Sequence, residues 1–267
     1  MASIRPLTSE QNPLIKDVRR ANLRGSLTEH GYCLAETFHL LDEALRSEVE
    51  IGAVIAANPV AREVEERLRN YPDLTLATVS DSLFDHLTTT ETNQGVLTLV
   101  KPPEWTEADV FRAPAMTVVL DGVQDPGNVG TILRAAEAFG ATGAVLLKGC
   151  AYAYQPKAVR ASAGSLFRLP VLAGVAADEA LAMLSRQNVP LYAAMPAGGL
   201  DVWTADWKQP VAVVIGSEGQ GVSQALAATA TAVRIPTHGV ESLNAALAAG
   251  VMLYEAFRQR SLTGGSA

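Results

Sequence analysis

The sequence predicts an α/β protein with two domains, and three observations carry that prediction. First, apolar runs of strand length, such as Met116–Leu120 and Val211–Ile215, lack polar alternation, which is typical of strands buried on both faces of a parallel sheet. Second, amphipathic segments such as Val129–Phe139 separate these runs. Third, 267 residues with 48% hydrophobic and 18% charged side chains can form a substantial core, which excludes a disordered chain.

The first half of the chain alternates short apolar runs with amphipathic segments, which predicts a small α/β unit. A helix over residues 12–24 is indicated by Asn12, a good N-cap, and by Pro13 at the first helical position. The other predicted strands are Tyr32–Ala35, Ala53–Ala57, Leu74–Val79 and Val96–Val100, and the other predicted helices are Thr37–Arg46, Val60–Asn70 and Ser80–Leu87.

Residues 101–114 contain three prolines and no sustained periodicity, which is typical of a linker. We therefore expect one domain over residues 1–100 and a second over residues 115–267. The second domain adds the predicted strands Ala144–Leu147 and Leu191–Ala194 and the predicted helices Asp178–Arg186 and Leu243–Gln259.

The net charge of −7 argues against non-specific binding of nucleic acid, because phosphate neutralisation requires clustered cations. A local basic cluster nevertheless lies near the N-terminus, where it forms either an RNA-binding surface or a solvated helix face. Its candidate RNA-binding residues are Lys16, Arg19, Arg20 and Arg24, with Arg5 nearby.

Several classes of site and location are not supported by the sequence. Cys33 and Cys150 are far apart and the four histidines lack metal-ligand spacing, so we expect neither a disulfide nor a metal site. No apolar stretch approaches the roughly 20 residues that span a bilayer, and residues 1–24 are too charged for a signal peptide. We expect a cytoplasmic protein without a membrane partner.

Three blocks of the second half place polar residues and glycines after buried strands or before helices. Open α/β sheets bind ligands at such positions. Each block alone also fits a structural role, as a glycine turn or a helix cap. The glycines match neither the dinucleotide fingerprint nor a phosphate loop, which argues against a nucleotide-dependent oxidoreductase. The blocks are LDGVQDPGNVGTILRAAEAFGA (Leu120–Ala141), VAVVIGSEGQGVS (Val211–Ser223) and RIPTHGVESLNAALAAGVMLYEAFRQR (Arg234–Arg260).

Together the blocks resemble the three motifs of the SPOUT superfamily, specifically the SpoU (TrmH-type) RNA ribose 2′-O-methyltransferases. The stretches NPLIKDVRRANLRG and GYCLAETFHLLDEALRS are similar to that family's L30e-like RNA-binding domain, although Thr37 stands where a glycine is frequent. The resemblance implies an α/β fold whose C-terminal segment forms a deep trefoil knot, in a parallel sheet with helices on both faces.

The resemblance also implies a site. The family's polar residues correspond to Asn128, Arg134, Glu218, Ser242 and Asn244, which would be the catalytic residues. Its S-adenosylmethionine contacts correspond to Gly216, Ile235 and Leu243, with Met195 as a weaker candidate. Ala246 departs from the pattern, since many relatives carry a serine there.

The implied activity is methyl transfer from S-adenosylmethionine, without a metal, to a ribose 2′ hydroxyl of RNA. Ribosomal RNA of the 23S type is favoured over transfer RNA by analogy with the N-terminal domain. The resemblance implies a homodimer, in which Arg134 acts within its own chain or across the interface, either as the base or as a phosphate clamp. A non-catalytic knotted RNA-binding protein is the alternative from another class.

Overall fold

The structure is a computed structural model that describes residues 3–88, 90 and 92–263. The first part contains β1 (Ser3–Pro6), α1 (Pro13–Arg24), β2 (Cys33–Glu36), α2 (Phe38–Arg46), β3 (Ile51–Ala57), α3 (Ala61–Arg67), β4 (Thr75–Val79), α4 (Asp81–Asp85) and β5 (Val96–Val100). The second part contains α5 (Glu107–Val110), β6 (Met116–Asp121), α6 (Pro126–Ala138), β7 (Gly143–Leu147), α7 (Pro156–Ser162), β8 (Val171–Val175), α8 (Ala177–Arg186), β9 (Leu191–Ala194), β10 (Leu200–Asp201), β11 (Val211–Gly216), α9 (Gln224–Ala227), β12 (Thr231–Arg234) and α10 (Ala245–Thr263).

The chain forms two compact units, and the first comprises residues 1–103 together with Tyr154–Arg168. Its five-stranded sheet has the order β1-β4-β3-β5-β2, in which β1, β4 and β3 are parallel and β5 is antiparallel to both of its neighbours. Helix α1 begins as predicted, because the Asn12 side chain accepts a hydrogen bond from the Leu14 backbone N–H at 2.9 Å. Strand β1 was not predicted, since four exposed residues carry no apolar pattern.

The segment Tyr154–Arg168 adds α7 to the first unit, although it lies in the second half of the sequence. Two ion pairs fasten it to buried carboxylates. Arg160 donates to Glu36 at 3.1 Å, and Arg168 donates to Glu43 at 2.6 Å. Helix α7 was not predicted, because its burial depends on these long-range partners rather than on its own pattern.

The second unit comprises residues 104–153 and 169–267. Its seven-stranded sheet has the order β10-β12-β9-β11-β6-β7-β8 and is parallel throughout. The strands β6, β7 and β11 are buried along nearly their whole length, as their uninterrupted apolar runs predict. The predicted α/β class with a buried parallel sheet is confirmed.

The stretch expected to be a linker contains a short helix of the second unit. Thr106 and Asp109 form a reciprocal capping box that starts α5. Val110 and Phe111 follow and belong to the core of this unit, with 0% and 6% exposure. Two apolar side chains in a four-residue helix are too few to produce a periodic signal, which is why the sequence showed only a linker composition.

Helix α10 is fixed near its C-terminal end by one half-buried cation. The half-buried Arg260 guanidinium donates to the backbone carbonyls of Trp207 at 2.8 Å, Gln209 at 2.8 Å and Ala115 at 3.1 Å. These acceptors lie just before β11 and β6. Burial lowers the pKa of Arg260 from its usual value. None of the described helices combines the length and the apolar character that crossing a bilayer requires.

Replacing Arg260 with methionine is expected to destabilise the second unit. The change removes hydrogen bonds from a charged donor and leaves carbonyl oxygens without it, at a cost of about 2–3 kcal/mol. Urea unfolding followed by circular dichroism measures the loss. The matched control is Arg258→Met on the same helix, because within the described part of the chain Arg258 forms hydrogen bonds and an ion pair with the neighbouring Glu255 alone and is 45% exposed. Equal midpoints for the two variants would contradict the anchoring role.

Candidate active site

The pairing of β6 with β11 brings the first and second blocks together. The strands are parallel, with Leu120 opposite Ile215 and Asp121 opposite Gly216. Both strands therefore end at the same edge, and the loops that follow them are neighbours. The Asp121 carboxylate ties these loops, since it accepts a hydrogen bond from the Ser223 backbone N–H at 2.7 Å.

The first block starts α6 earlier than its apolar pattern indicated. Asp125 caps the helix by accepting from the Gly127 backbone N–H at 2.8 Å, and Pro126 occupies the first helical position. Asn128 consequently lies in the first turn of α6 rather than in the preceding loop. The predicted start at Val129 was wrong because a proline and a glycine obscured three helical residues.

The second block forms a tight loop whose glycines are required by its geometry. Ser217 and Gly221 exchange two backbone hydrogen bonds of 3.2 and 2.9 Å, which close the loop. A Cβ atom on Gly216 would come within 2.1 Å of the Gly221 carbonyl carbon, and Gly221 has a φ of +67°. Side chains cannot replace hydrogen at these positions without opening the loop.

The third block ends in a capped helix. The Asn244 side-chain oxygen accepts from the Ala246 backbone N–H at 3.0 Å and from the Leu247 backbone N–H at 3.3 Å. The structural role expected for this asparagine is thus real. Its Nδ2 atom remains free for a second contact, which it makes with the first block.

Asn128 joins the three blocks through its side-chain amide. Its oxygen accepts a hydrogen bond from Asn244 Nδ2 at 3.3 Å, and its nitrogen donates to the Glu218 carboxylate. The residues are 116 and 90 positions from Asn128 along the chain. Only a group with both a donor and an acceptor can hold both partners at once.

A cavity of about 630 Å³ opens beside this amide bridge. It is lined by all four predicted donor-binding residues, Met195, Gly216, Ile235 and Leu243. The predicted polar residues Glu218, Ser242 and Asn244 also line it. Its volume lies within the roughly 300–1,000 Å³ of typical small-molecule sites.

The cavity also contains residues that the sequence analysis missed. Ala245, Ala248 and Met252 line it from one face of α10. Their spacing of three and four residues is the signal that could have identified them. Pro196, Thr237 and Glu241 come from loops, where no periodic pattern exists to mark a side chain as facing a cavity.

Arg134 lies apart from this group of polar residues. It is exposed on α6, and among the described residues it has no hydrogen-bond or ion-pair partner. It does not line the cavity. The structure therefore brings together four of the five predicted catalytic residues within one chain, and leaves the arginine pointing elsewhere on the helix surface.

The candidate RNA-binding residues lie on α1, in the first unit, and share one helix face. Lys16, Arg19 and Arg24 are exposed. Arg20 differs, since it is bound to Glu29 at 2.5 Å and lies 3.9 Å from Asp17. Three cations of this face are thus available to an anion, and the fourth is partly neutralised.

Two further groups bear on the chemistry of the second unit. Burial raises the pKa of the Cys150 thiol, which donates a hydrogen bond to the Leu120 carbonyl at 3.2 Å, so at neutral pH it is a protonated packing residue. Among the residues the structure describes, no three His, Cys, Asp or Glu side chains are grouped as a metal ion would require.

Two family descriptions match the chain. Residues 115–254 match the SpoU rRNA Methylase family, and residues 12–98 match the MRM3-like substrate binding domain. The first match covers the first two blocks, the third block as far as Tyr254, and the strands that position them. The second covers helix α1 and the strands β2, β3 and β4 of the first unit, and it ends within β5.

Individual relatives match almost the whole chain. A protein of Synechocystis sp. named as an uncharacterized tRNA/rRNA methyltransferase is 35% identical over 97% of this chain and 96% of that protein. The Bacillus subtilis 23S rRNA (guanosine(2553)-2′-O)-methyltransferase RlmP is 29% identical over 94% of this chain and 98% of its own. The crystal structure of the SpoU methyltransferase AviRb from Streptomyces viridochromogenes with AdoMet has a TM-score of 0.85, at 29% identity, and covers 94% of this chain and 99% of that one.

Asn128→Asp should loosen the loops that the amide joins. A carboxylate cannot donate to Glu218 and repels it, which costs about 1–2 kcal/mol locally. Hydrogen exchange at the Gly221 amide should therefore accelerate roughly 5- to 30-fold. Asn188→Asp, in an exposed turn after α8, is the matched control. Unchanged exchange at Gly221 in the first variant would show that the bridge does not order the loop.

Proposed function

Because the chain belongs to the SpoU rRNA methylase family, we propose that it transfers a methyl group from S-adenosylmethionine to a ribose 2′ hydroxyl of 23S-type ribosomal RNA. The chain is an RNA methyltransferase with that family's α/β knot fold. One observation carries the finer proposal: the three blocks converge on a single cavity with Asn128 at their junction. We place the activity in the cytoplasm, where ribosomal RNA is found.

The residues that line the cavity fit the methyl donor. Most of them are apolar or glycine, so they can hold an adenine ring and a thioether chain while backbone groups supply hydrogen bonds. Gly216, Ile235 and Leu243 would hold the donor, with Met195 at the loop after β9. When bound, S-adenosylmethionine supplies an electrophilic methyl group on a positively charged sulfur.

The chain's own polar residues have positioning as their main task. Displacement at the methyl carbon would form an oxygen–carbon bond as the carbon–sulfur bond breaks, with the hydroxyl proton released to solvent water, and its rate would depend on in-line alignment. Ser242 and Asn244 face the cavity and orient the ribose hydroxyl. Asn128 and Glu218 hold the loops that carry these two residues. No step requires a metal ion.

We assign Arg134 the role of a phosphate clamp. A guanidinium stays protonated at any physiological pH, which makes it a poor base, whereas its planar donors match a phosphate group. Because Arg134 does not reach the cavity of its own chain, we propose that it acts in the site of a second copy of the chain.

A row of exposed apolar side chains on helix α10 supports the proposal of a homodimer. Leu247, Val251, Tyr254 and Phe257 lie along one side of this helix and are 39–62% exposed. We call them the apolar stripe of α10. An exposed apolar patch of this kind marks an interaction surface. Helix α6, which carries Arg134, packs against α10, so a partner that covers the stripe comes close to Arg134.

We propose that the face of α1 binds RNA. Lys16, Arg19 and Arg24 are free to contact phosphates, and Arg20 joins them once RNA displaces Glu29. This contact would be independent of sequence and would weaken as the salt concentration rises. Since the chain carries a net charge of −7, binding would be confined to this face.

The enzymatic proposal predicts ribose methylation of ribosomal RNA that lacks it. Purified protein with S-adenosylmethionine should produce a new 2′-O-methyl site in 23S rRNA from a deletion strain, read by alkaline-hydrolysis sequencing. Arg134→Lys should lower activity and RNA affinity together, without changing the pH profile. Methylation of transfer RNA alone would overturn the ribosomal assignment. Retained RNA binding, with activity that rises steeply at high pH, would make Arg134 the base.

The dimer proposal predicts that a charge in the apolar stripe separates the copies. Light scattering after size exclusion should give about twice the 28.1 kDa chain mass for the wild type and about one chain mass for Leu247→Glu. Leu23→Glu introduces the same change at a 72% exposed leucine of α1 and should remain dimeric. A wild-type monomer with full activity would refute the dimer and the role of Arg134 in a second copy's site.

A further inference from the structure

The charged residues of the cavity are all acidic. Glu218 and Glu241 line it, and no lysine, arginine or histidine does so among the residues that the structure describes. The two carboxylates differ in their surroundings. Glu218 is bound by the Asn128 amide, whereas exposed Glu241 has no hydrogen-bond or ion-pair partner among the described residues. Glu241 therefore presents an unneutralised negative charge to whatever fills the cavity.

A second electrostatic source in the cavity has the opposite sign. Ala245, the first residue of the 19-residue helix α10, lines the cavity, so the positive end of the helix dipole faces it. That end is equivalent to about half a positive charge. Without Glu241, the helix end offsets about half of the one carboxylate charge that remains, that of Glu218. Glu241 therefore supplies most of the net negative charge that a ligand in the cavity meets.

Methyl transfer changes the charge of the molecule in the cavity. The donor has a sulfonium, and after its carbon–sulfur bond breaks the product has a neutral thioether. The amino and carboxylate groups are unchanged. A negative charge near the sulfur thus stabilises the donor without stabilising the product. A cavity of 630 Å³ corresponds to a sphere of about 5 Å radius, so Glu241 acts within about a Debye length of any ligand atom.

We infer that Glu241 is a specificity-determining residue that makes the site prefer the cationic donor, S-adenosylmethionine, over its neutral product, S-adenosylhomocysteine. The inference rests on the proposed function, since it requires this donor to bind in this cavity. Its consequence is reduced product inhibition: a site that bound both molecules equally through their common adenosine and amino-acid groups would remain blocked after each turnover.

The test compares three probes by calorimetry on the full-length protein, with no RNA present. Glu241→Gln keeps the size of the side chain and removes its charge. This change should lower the affinity for S-adenosylmethionine about fivefold and change the affinity for S-adenosylhomocysteine by less than about twofold. A fivefold effect is what one charge pair produces at an effective dielectric constant between that of protein and that of water. Sinefungin, which carries an ammonium group in place of the methylated sulfonium, should follow the donor.

The control is Glu179→Gln on α8, an exposed carboxylate that does not line the cavity, and it should change none of the three affinities. Equal weakening of donor and product by Glu241→Gln would overturn the inference, because the carboxylate would then contact the amino group that both share. Unchanged donor affinity would also overturn it. Failure of the wild type to bind either nucleoside would instead refute the proposed function.

Discussion

The register between β6 and β11 is the constraint on which the rest of the site depends. The two strands pair over six residues, from Met116 opposite Val211 to Asp121 opposite Gly216. A shift of one strand by one residue would turn its side chains to the opposite face. Since both strands are buried on both faces, each turned side chain would have to fit a space packed around a different one, which a close-packed core does not tolerate. The ends of the strands, and the loops that follow them, are thereby held at a fixed separation.

That fixed separation makes the amide of Asn128 effective. Its two hydrogen bonds connect loops that are about a hundred residues apart in the chain, so their formation in an unstructured chain would cost considerable loop entropy. In the folded unit, formation of the sheet has already brought the loops together, so the hydrogen bonds add little further loss of loop entropy. The polar contacts therefore select one arrangement of the loops, whereas the apolar sheet supplies the stability.

Sequence patterns predicted the strands that are buried on both faces. They failed for elements whose burial depends on residues far away in the chain. The central strands β6, β7, β9 and β11 were predicted because their apolar runs are continuous. The edge strands β8 and β10 and the inner strand β12 were missed, since β8 exposes Ala173 and Gly174, β10 has only two residues, and β12 has a single buried residue. Helix α7 was missed because its burial depends on carboxylates more than 120 positions away.

The candidate site was predicted from the resemblance more completely than physical patterns alone would allow. Gly216, Glu218, Ser242 and Asn244 each fit a turn or a cap as well as a site, and spacing alone did not distinguish these roles. Asn244 shows why: its oxygen caps α10 while its nitrogen reaches Asn128. One residue performs both roles, so the two hypotheses were never exclusive. No sequence pattern marked Glu241 as a residue of the site, because a carboxylate in a loop has the same sequence context whether it faces solvent or a cavity.

Helix α10 has an unusual composition, because each of its faces has different surroundings. A helix of a globular protein normally has one apolar and one polar face. In α10, Ala248 and Met252 line the cavity, Ala249 and Leu253 pack in the core, and the apolar stripe is exposed. The small alanines suit a close approach to a ligand, and the large side chains suit a partner surface. A partner that covers the stripe would also restrain the helix that forms one wall of the cavity. Dimerisation and donor binding would then stabilise the same element, so each would strengthen the other without direct contact.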